Sequence, residues 1–129
     1  MNKKPSIGTL CVQAGYSSGK GQPRQIPIVQ STTFKYENSE QMARLFDLEE
    51  PGYFYTRLQN PTNDMVAARI AALEGGVAAM LTSSGQAANF FACFNICETG
   101  GHIISCANIY GGTFNLLGTT LRKMGIEVT

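Results

Sequence analysis

The sequence predicts an α/β protein built on a mainly parallel sheet, and two features of its 129 residues carry that expectation. After Asn60, short apolar runs alternate with longer helical stretches, and glycine pairs punctuate the changes. Such a strand–helix–strand–helix–strand order suits a parallel sheet, in which each crossover must carry the chain back to the same edge before the next strand can pair. Up to Pro61 the chain has another character, rich in Gly, Pro, Ser and Gln, with short apolar pieces such as Ile26-Pro27-Ile28-Val29.

Taken in order, Pro23, Pro27 and the Ser17-Ser18-Gly19-Lys20-Gly21 stretch argue against regular structure early in the chain. A short helix is predicted from about Ser39 to Leu48, with Met42, Leu45 and Phe46 in one apolar stripe. A loop-rich segment of this length does not bury itself, and it is expected to lie across a larger body or a partner subunit. Residues 1–61 are therefore read as an arm and residues 62–129 as the incomplete start of a larger domain. Asn60-Pro61-Thr62-Asn63-Asp64 reads as a helix start, with polar caps, a proline near the first turn and Asp64 at the positive end of the dipole. Val66, Ile70 and Leu73 follow at helical spacing, and Gly75-Gly76 stops the helix.

The run Ala78-Ala79-Met80-Leu81-Thr82 reads as a strand, Ser83-Ser84-Gly85-Gln86 as the turn after it, and a second helix runs from near Ala87 to about Ile96. Gly100-Gly101 leads to a strand His102-Ile103-Ile104-Ser105-Cys106, and the loop Ala107–Gly112 to a helix from about Thr113 to Met124, closed by Gly125. Ile126-Glu127-Val128-Thr129 opens a third strand. A parallel sheet is covered on both faces, so three strands and a long arm are expected to be one piece of a longer protein, a cleaved product or the product of a truncated gene.

Composition narrows the function. Forty-three per cent hydrophobic residues support a core, and a net charge of +1 with scattered Lys and Arg speaks against a nucleic-acid partner. Met-Asn-Lys-Lys-Pro opens the chain without a following apolar run, so no secretory signal is expected. No apolar run approaches the ~20 residues that span a bilayer, so no membrane role is expected. Cys93 and Cys97, four apart in a predicted helix beside Phe90 and Phe94, read as small buried hydrophobes. A zinc site would need further ligands, and His102 is the single histidine. With Cys11 and Cys106 these features fit a reduced, cytoplasmic protein.

Two clusters could carry chemistry. A strand, Ser84-Gly85-Gln86 and a helix make an anion site on physical grounds, because free N–H groups and the dipole at the helix start favour negative charge. Gly85 would let a phosphate approach the backbone and Ser84 would add a hydroxyl; the other reading is a plain turn of small residues. No G-x-G-x-x-G or G-x-x-x-x-G-K-[ST] run is present, which disfavours dinucleotides and nucleoside triphosphates and leaves a cofactor with one phosphate open. In Tyr53-Phe54-Tyr55-Thr56-Arg57, an extended backbone would put Tyr55 and Arg57 on one face, where the guanidinium could grip a phosphate and the phenol add a bond. The other reading there is an exposed loop.

Four runs occur together and in order: Tyr55-Thr56-Arg57-Leu58-Gln59-Asn60-Pro61-Thr62, Ile70-Ala71-Ala72-Leu73-Glu74-Gly75-Gly76, Ser84-Gly85-Gln86-Ala87-Ala88 and Tyr110-Gly111-Gly112-Thr113. Their combination resembles the Cys/Met-metabolism family of fold-type I pyridoxal-phosphate enzymes, over nearly the whole chain from Thr9 to Thr129. The runs Thr9-Leu10-Cys11-Val12-Gln13-Ala14-Gly15-Tyr16 and Pro27-Ile28-Val29-Gln30-Ser31-Thr32-Thr33-Phe34, with Gln86 after Gly85, are similar to its O-acetylhomoserine sulfhydrylase branch. Cystathionine γ-lyase, cystathionine γ-synthase and methionine γ-lyase share much of the same frame.

The resemblance implies an N-terminal arm plus the first part of the mainly parallel large domain of the fold-type I (aspartate aminotransferase-like) fold. It implies pyridoxal 5'-phosphate as cofactor, its phosphate at Ser84, Gly85 and Gln86 and its ring stacked on Tyr110. Tyr55 and Arg57 would reach the phosphate held by a neighbouring subunit of a homo-oligomer, a dimer of dimers, and Tyr55 would assist proton movement near the substrate. The implied reaction takes O-acetyl-L-homoserine and sulfide, or a thiol, and replaces acetate at the γ-carbon, giving homocysteine. In the family the lysine that carries the cofactor lies well downstream, and none of Lys3, Lys4, Lys20, Lys35 and Lys123 matches it. The 129-residue chain alone is therefore expected to be inactive. A non-catalytic subunit that donates Tyr55 and Arg57 in trans is the alternative of a different class.

Overall fold

A computed structural model describes residues 4–129; Met1, Asn2 and Lys3, part of the basic start noted above, lie outside the described residues. The chain divides into two compact units, Met1–Met80 and Leu81–Thr129.

In the first unit, helix α1 spans Ile7–Gln13, and the Ser6 side chain caps it by accepting the Thr9 N–H at 3.3 Å. This helix was not expected; the signal passed over is the serine cap ahead of the Gly15 turn, while the Ser17–Gly21 stretch breaks regular structure only beyond it. Helix α2 spans Ser39–Phe46 as expected, with the Asn38 side chain accepting the Gln41 N–H at 2.8 Å. Its Leu45 is buried, and Phe46 meets Phe54 at 4.5 Å between ring centres.

Helix α3 spans Pro61–Glu74, from an Asn60 cap to Gly75 in the left-handed conformation at φ 69°. Its apolar stripe sits differently from the sequence reading. Ile70 is 41% exposed whereas Ala71 is buried, so the covered face is turned by one residue. Helix α1 packs on α3, and Gly15 sets how closely. A Cβ there would stand 2.2 Å from the Met65 carbonyl and 2.8 Å from the Arg69 nitrogen, and its φ of +80° is itself unfavourable for other residues. Arg69 Nε donates to the Ala14 carbonyl at 2.7 Å and ties the same junction.

The irregular part of the arm is fastened by the start of α3. Asn60, only 4% exposed, accepts the Thr62 N–H through Oδ1 at 2.9 Å and donates through Nδ2 to the Val29 carbonyl at 3.1 Å and to Thr56 Oγ1 at 3.0 Å. Thr62 Oγ1 accepts the Val29 N–H at 2.8 Å and donates to the Pro27 carbonyl at 3.1 Å. Pro27–Val29 thus pairs its backbone with the side chains of a helix start instead of a sheet.

In the second unit, α4 spans Gly85–Ile96, β1 His102–Ile103, α5 Gly111–Asn115 and β2 Glu127–Val128. From α5 the chain continues through a π-helical stretch, Leu116–Leu121. Gly118 and the β-branched Thr119 and Thr120 weaken the α-helical preference there. Strands β1 and β2 pair in parallel, His102 with Glu127 and Ile103 with Val128. Leu117, Leu121 and Ile126 form the core, with Phe90, Cys93, Cys97, Ile103, Ile109 and Val128 against it, so Cys93 and Cys97 act as the small hydrophobes expected.

Two strand expectations need correction. Ala78–Thr82 forms no strand, and the second run is regular strand only at His102 and Ile103, with one further bond from the Ser105 N–H to the Thr129 carbonyl at 2.9 Å and Ile104 left exposed. A strand exists only where a neighbour takes its N–H and C=O groups; among the described residues nothing pairs with 78–82, and Val77 just before it and Met80 within it stand exposed. Among the described residues no helix is long and apolar enough to cross a membrane.

The Asn60 bonds generate a test in the complete protein. Asn60→Ala should lower stability by roughly 2–4 kcal/mol, as a lost cap and unpaired buried partners together imply. Asn60→Ser should recover about 1 kcal/mol of this, because serine still caps. Urea midpoints measure both, and an unchanged midpoint for the alanine variant would contradict the assignment.

Candidate functional site

The residues singled out from sequence fall into two groups, one in each compact unit. In the second unit, Ser84 is the N-cap of α4, with φ −164° and ψ 161°. Its Oγ accepts the Ala87 N–H at 3.1 Å and its carbonyl accepts the Ala88 N–H at 3.0 Å. Thr82 Oγ1 donates to the same carbonyl at 2.8 Å. The N–H groups of Gly85 and Gln86 are then left without a protein acceptor among the described residues.

The space above them is open. A Cβ at Gly85 would meet nothing within 4 Å, and the backbone there is not left-handed, so this glycine matters for access rather than for φ. The donor set is two backbone N–H groups, the hydroxyl proton of Ser84 and the positive end of a 12-residue helix. It fits a phosphate.

Tyr110 stands at the start of α5 with 75% of its surface exposed. A Cβ at Gly112 would lie 2.6 Å from Tyr110 Cε1 and 3.3 Å from Gln86 Nε2, so glycine there lets the ring and the Gln86 amide close on one point. Gln86 Oε1 accepts from Thr113 Oγ1 at 3.2 Å and from Asn89 Nδ2 at 3.2 Å, and Asn89 Nδ2 also donates to Thr113 Oγ1 at 3.0 Å. The structure thus brings Ser84, Gly85, Gln86 and Tyr110 to one place, the facing starts of α4 and α5. Sequence reasoning missed Asn89 and gave Thr113 no role. The available signal was that Gln86 and Asn89 are three apart and share a helix face.

In the first unit, Tyr55 pairs with Thr33 in an antiparallel bridge, flanked by Phe34 N–H to Phe54 carbonyl at 3.2 Å and Thr56 N–H to Thr32 carbonyl at 2.9 Å. The extended path stops there, because the Tyr55 carbonyl accepts the N–H groups of Leu58 at 3.0 Å and Gln59 at 3.1 Å. Tyr55 and Arg57 are therefore brought together by a turn and not by the alternation of an extended segment. The guanidinium carbon sits 5.3 Å from the centre of the Tyr55 ring, a cation–π contact that preorients an exposed cation. Among the described residues no carboxylate forms an ion pair with it. Nearby, burial pushes the Tyr53 phenol above its usual range, and the neighbouring Asp64 carboxylate adds to the effect.

Lys4, Lys20, Lys35 and Lys123 are all exposed. The four cysteines are unpaired thiols, and among the described residues no three His, Cys, Asp or Glu side chains come together as metal ligands.

Comparison with known proteins adds three findings. The family model described as Cys/Met metabolism PLP-dependent enzyme matches residues 8–129. An O-acetyl-L-homoserine sulfhydrylase of Leptospira meyeri is 50% identical over 105 residues, 81% of this chain and 24% of that protein. An L-methionine gamma-lyase of Fusobacterium nucleatum is 42% identical over 127 residues, 98% of this chain and 32% of that protein. A crystal structure of a putative O-acetylhomoserine (thiol)-lyase from Campylobacter jejuni, with N'-pyridoxyl-lysine-5'-monophosphate at position 205 of that protein, superposes with a TM-score of 0.90 at 37% identity. It matches 97% of this chain and 31% of its own. The chain thus spans about a quarter to a third of the length of these relatives. With the four sequence runs in register and the strand–helix frame in place, the chain belongs to the Cys/Met metabolism family of PLP-dependent enzymes, as an arm and the first part of the fold-type I large domain.

Proposed function

We propose that this chain is the N-terminal portion of an O-acetylhomoserine sulfhydrylase, an enzyme that replaces the acetate of O-acetyl-L-homoserine with sulfide or a thiol. With sulfide the product is homocysteine. The observation that carries this reading is the start of α4, where the Gly85 and Gln86 N–H groups have no acceptor among the described residues and the Gln86 amide meets the Tyr110 ring over Gly112. The choice of branch rests on the sulfhydrylase relatives. The 42% identical L-methionine gamma-lyase keeps a lyase of the same family as the second reading.

When bound, pyridoxal 5'-phosphate supplies an electron sink for charge left on the substrate carbons. The residues of this chain bind and orient. Gly85 and Gln86 donate their N–H groups to phosphate oxygens, and the Ser84 hydroxyl adds a third donor while its lone pair keeps the cap on Ala87. The Tyr110 ring, held over Gly112, offers an aromatic face for stacking. Tyr55 and Arg57 serve a neighbouring subunit of a dimer of dimers, Arg57 as a charge-assisted ligand to the phosphate and Tyr55 as the phenol that holds a proton near the substrate. A reducing, cytoplasmic setting suits the four free thiols.

Three measurements on the complete enzyme test this. Product formation is expected with O-acetylhomoserine plus sulfide and not with methionine or cystathionine alone; the reverse pattern would replace the sulfhydrylase with a lyase. Tyr110→Ala should weaken cofactor binding about three- to tenfold, as the loss of an aromatic stacking contact implies, and slow turnover. Arg57→Ala should weaken it about ten- to a hundredfold, the size of lost charge-assisted bonds. Equilibrium dialysis against pyridoxal 5'-phosphate reads both, and wild-type retention in either variant removes that residue from the site.

A further inference from the structure

Gln86 is held by more than its place in α4. Its Oε1 accepts two hydrogen bonds, from Thr113 Oγ1 and from Asn89 Nδ2, each at 3.2 Å. With the carbonyl end so occupied, the amide is oriented, and Nε2 faces the point above Gly112 that the Tyr110 ring also borders. Asn89 Nδ2 reaches Thr113 Oγ1 as well, at 3.0 Å, which closes a triangle of three side chains across two helices.

Consider what this triangle connects. Gln86 lies on the first turn of α4, next to the open N–H pair, and Asn89 lies on the same face one turn later. Thr113 lies on the first turn of α5, three residues after Tyr110. Apolar contacts from the middle of α4 to its C-cap, through Phe90, Cys93 and Cys97 on the Leu117, Leu121 and Ile126 cluster, hold the helices together but are non-directional. Hydrogen bonds have preferred lengths and angles, so the bonds near the helix starts fix the separation of the N–H pair and the Tyr110 ring more sharply than these contacts do. A cofactor with a ring and a phosphate needs both held at one separation, because a loosely held constellation forfeits binding.

We propose that Asn89 and Thr113 are positioning residues: by bonding Gln86 they lock the start of α4 to the start of α5 and set the spacing between the phosphate donors and the Tyr110 ring. A second consequence is that Gln86 presents its Nε2–H donors towards the Tyr110 side of the site. This rests on the cofactor site proposed above and extends it to two residues that need not touch the cofactor.

The test uses the complete enzyme and three variants, with the cofactor's dissociation constant and its induced circular dichroism as readouts. Thr113→Val keeps the shape and removes the hydroxyl; Thr113→Ser keeps the hydroxyl and removes the methyl group. Asn89→Leu removes the amide at similar size. Thr113→Val and Asn89→Leu should each weaken binding about three- to tenfold, the scale of one or two hydrogen bonds. Both should alter the dichroism of the cofactor that remains bound, whereas Thr113→Ser should match wild type in both readouts. Wild-type affinity and dichroism in Thr113→Val would overturn the proposal, as would a Thr113→Ser variant as weak as Thr113→Val, which would assign the effect to packing. If wild-type protein itself failed to bind pyridoxal 5'-phosphate, the cofactor-site reading would fall instead, so the two failures are separable.

Discussion

Helix α4 begins where Ser84 turns its hydroxyl back on the Ala87 N–H, and the arrangement of the second unit follows from that bond. A helix start leaves four N–H groups without intrahelical partners. Ser84 takes one with Oγ and accepts the first helical bond, from Ala88, with its carbonyl. Gly85 and Gln86 are left pointing outward, at the end of the helix where partial positive charge collects.

Two kinds of force then divide the work between them. Leu117, Leu121 and Ile126 exclude water with Phe90, Cys93 and Cys97, which holds α4 on the π-helical stretch and on Ile126, just before β2. Such burial supplies most of the stabilisation but is itself non-directional. The bonds among Gln86, Asn89 and Thr113 contribute less energy and more geometry. The π-helical stretch carries the buried leucines Leu116, Leu117 and Leu121 and follows directly on α5, which Tyr110 opens; such departures from the α-helix are often associated with function.

The first unit solves a different problem with the same chemistry. At Asn60 a cap side chain spends its remaining donors on the arm, and Thr62 adds a pair of bonds to Pro27 and Val29. The start of α3 is therefore closed by protein, whereas the start of α4 is open. Downstream of the antiparallel bridge at Thr33 and Tyr55, a tight turn lays Arg57 on the Tyr55 ring. That contact keeps the pair together as a unit that a phosphate could meet.

Much of this was legible from residues alone. An apolar stripe marked α2, and a polar cap and a glycine stop marked α3. Helix α4 begins at Gly85, two residues before the start near Ala87 that the sequence suggests, and the spacing of Cys93 and Cys97 marked a face that packs on the core. Four runs in order point to the family, and Ser84, Gly85, Gln86 and Tyr110 stand within those runs. These are local properties, fixed by the conformational preferences of neighbouring residues and by motif order. What only the tertiary structure decided involves partners distant in the chain. It paired His102 with Glu127 but left 78–82 unpaired, turned Ala71 inward instead of Ile70, and seated Gly15 against α3. It also joined Asn89 to Thr113 across 24 positions. A strand, a buried face or a side-chain triangle exists only when a second segment arrives to complete it, and no local pattern states which segment that will be.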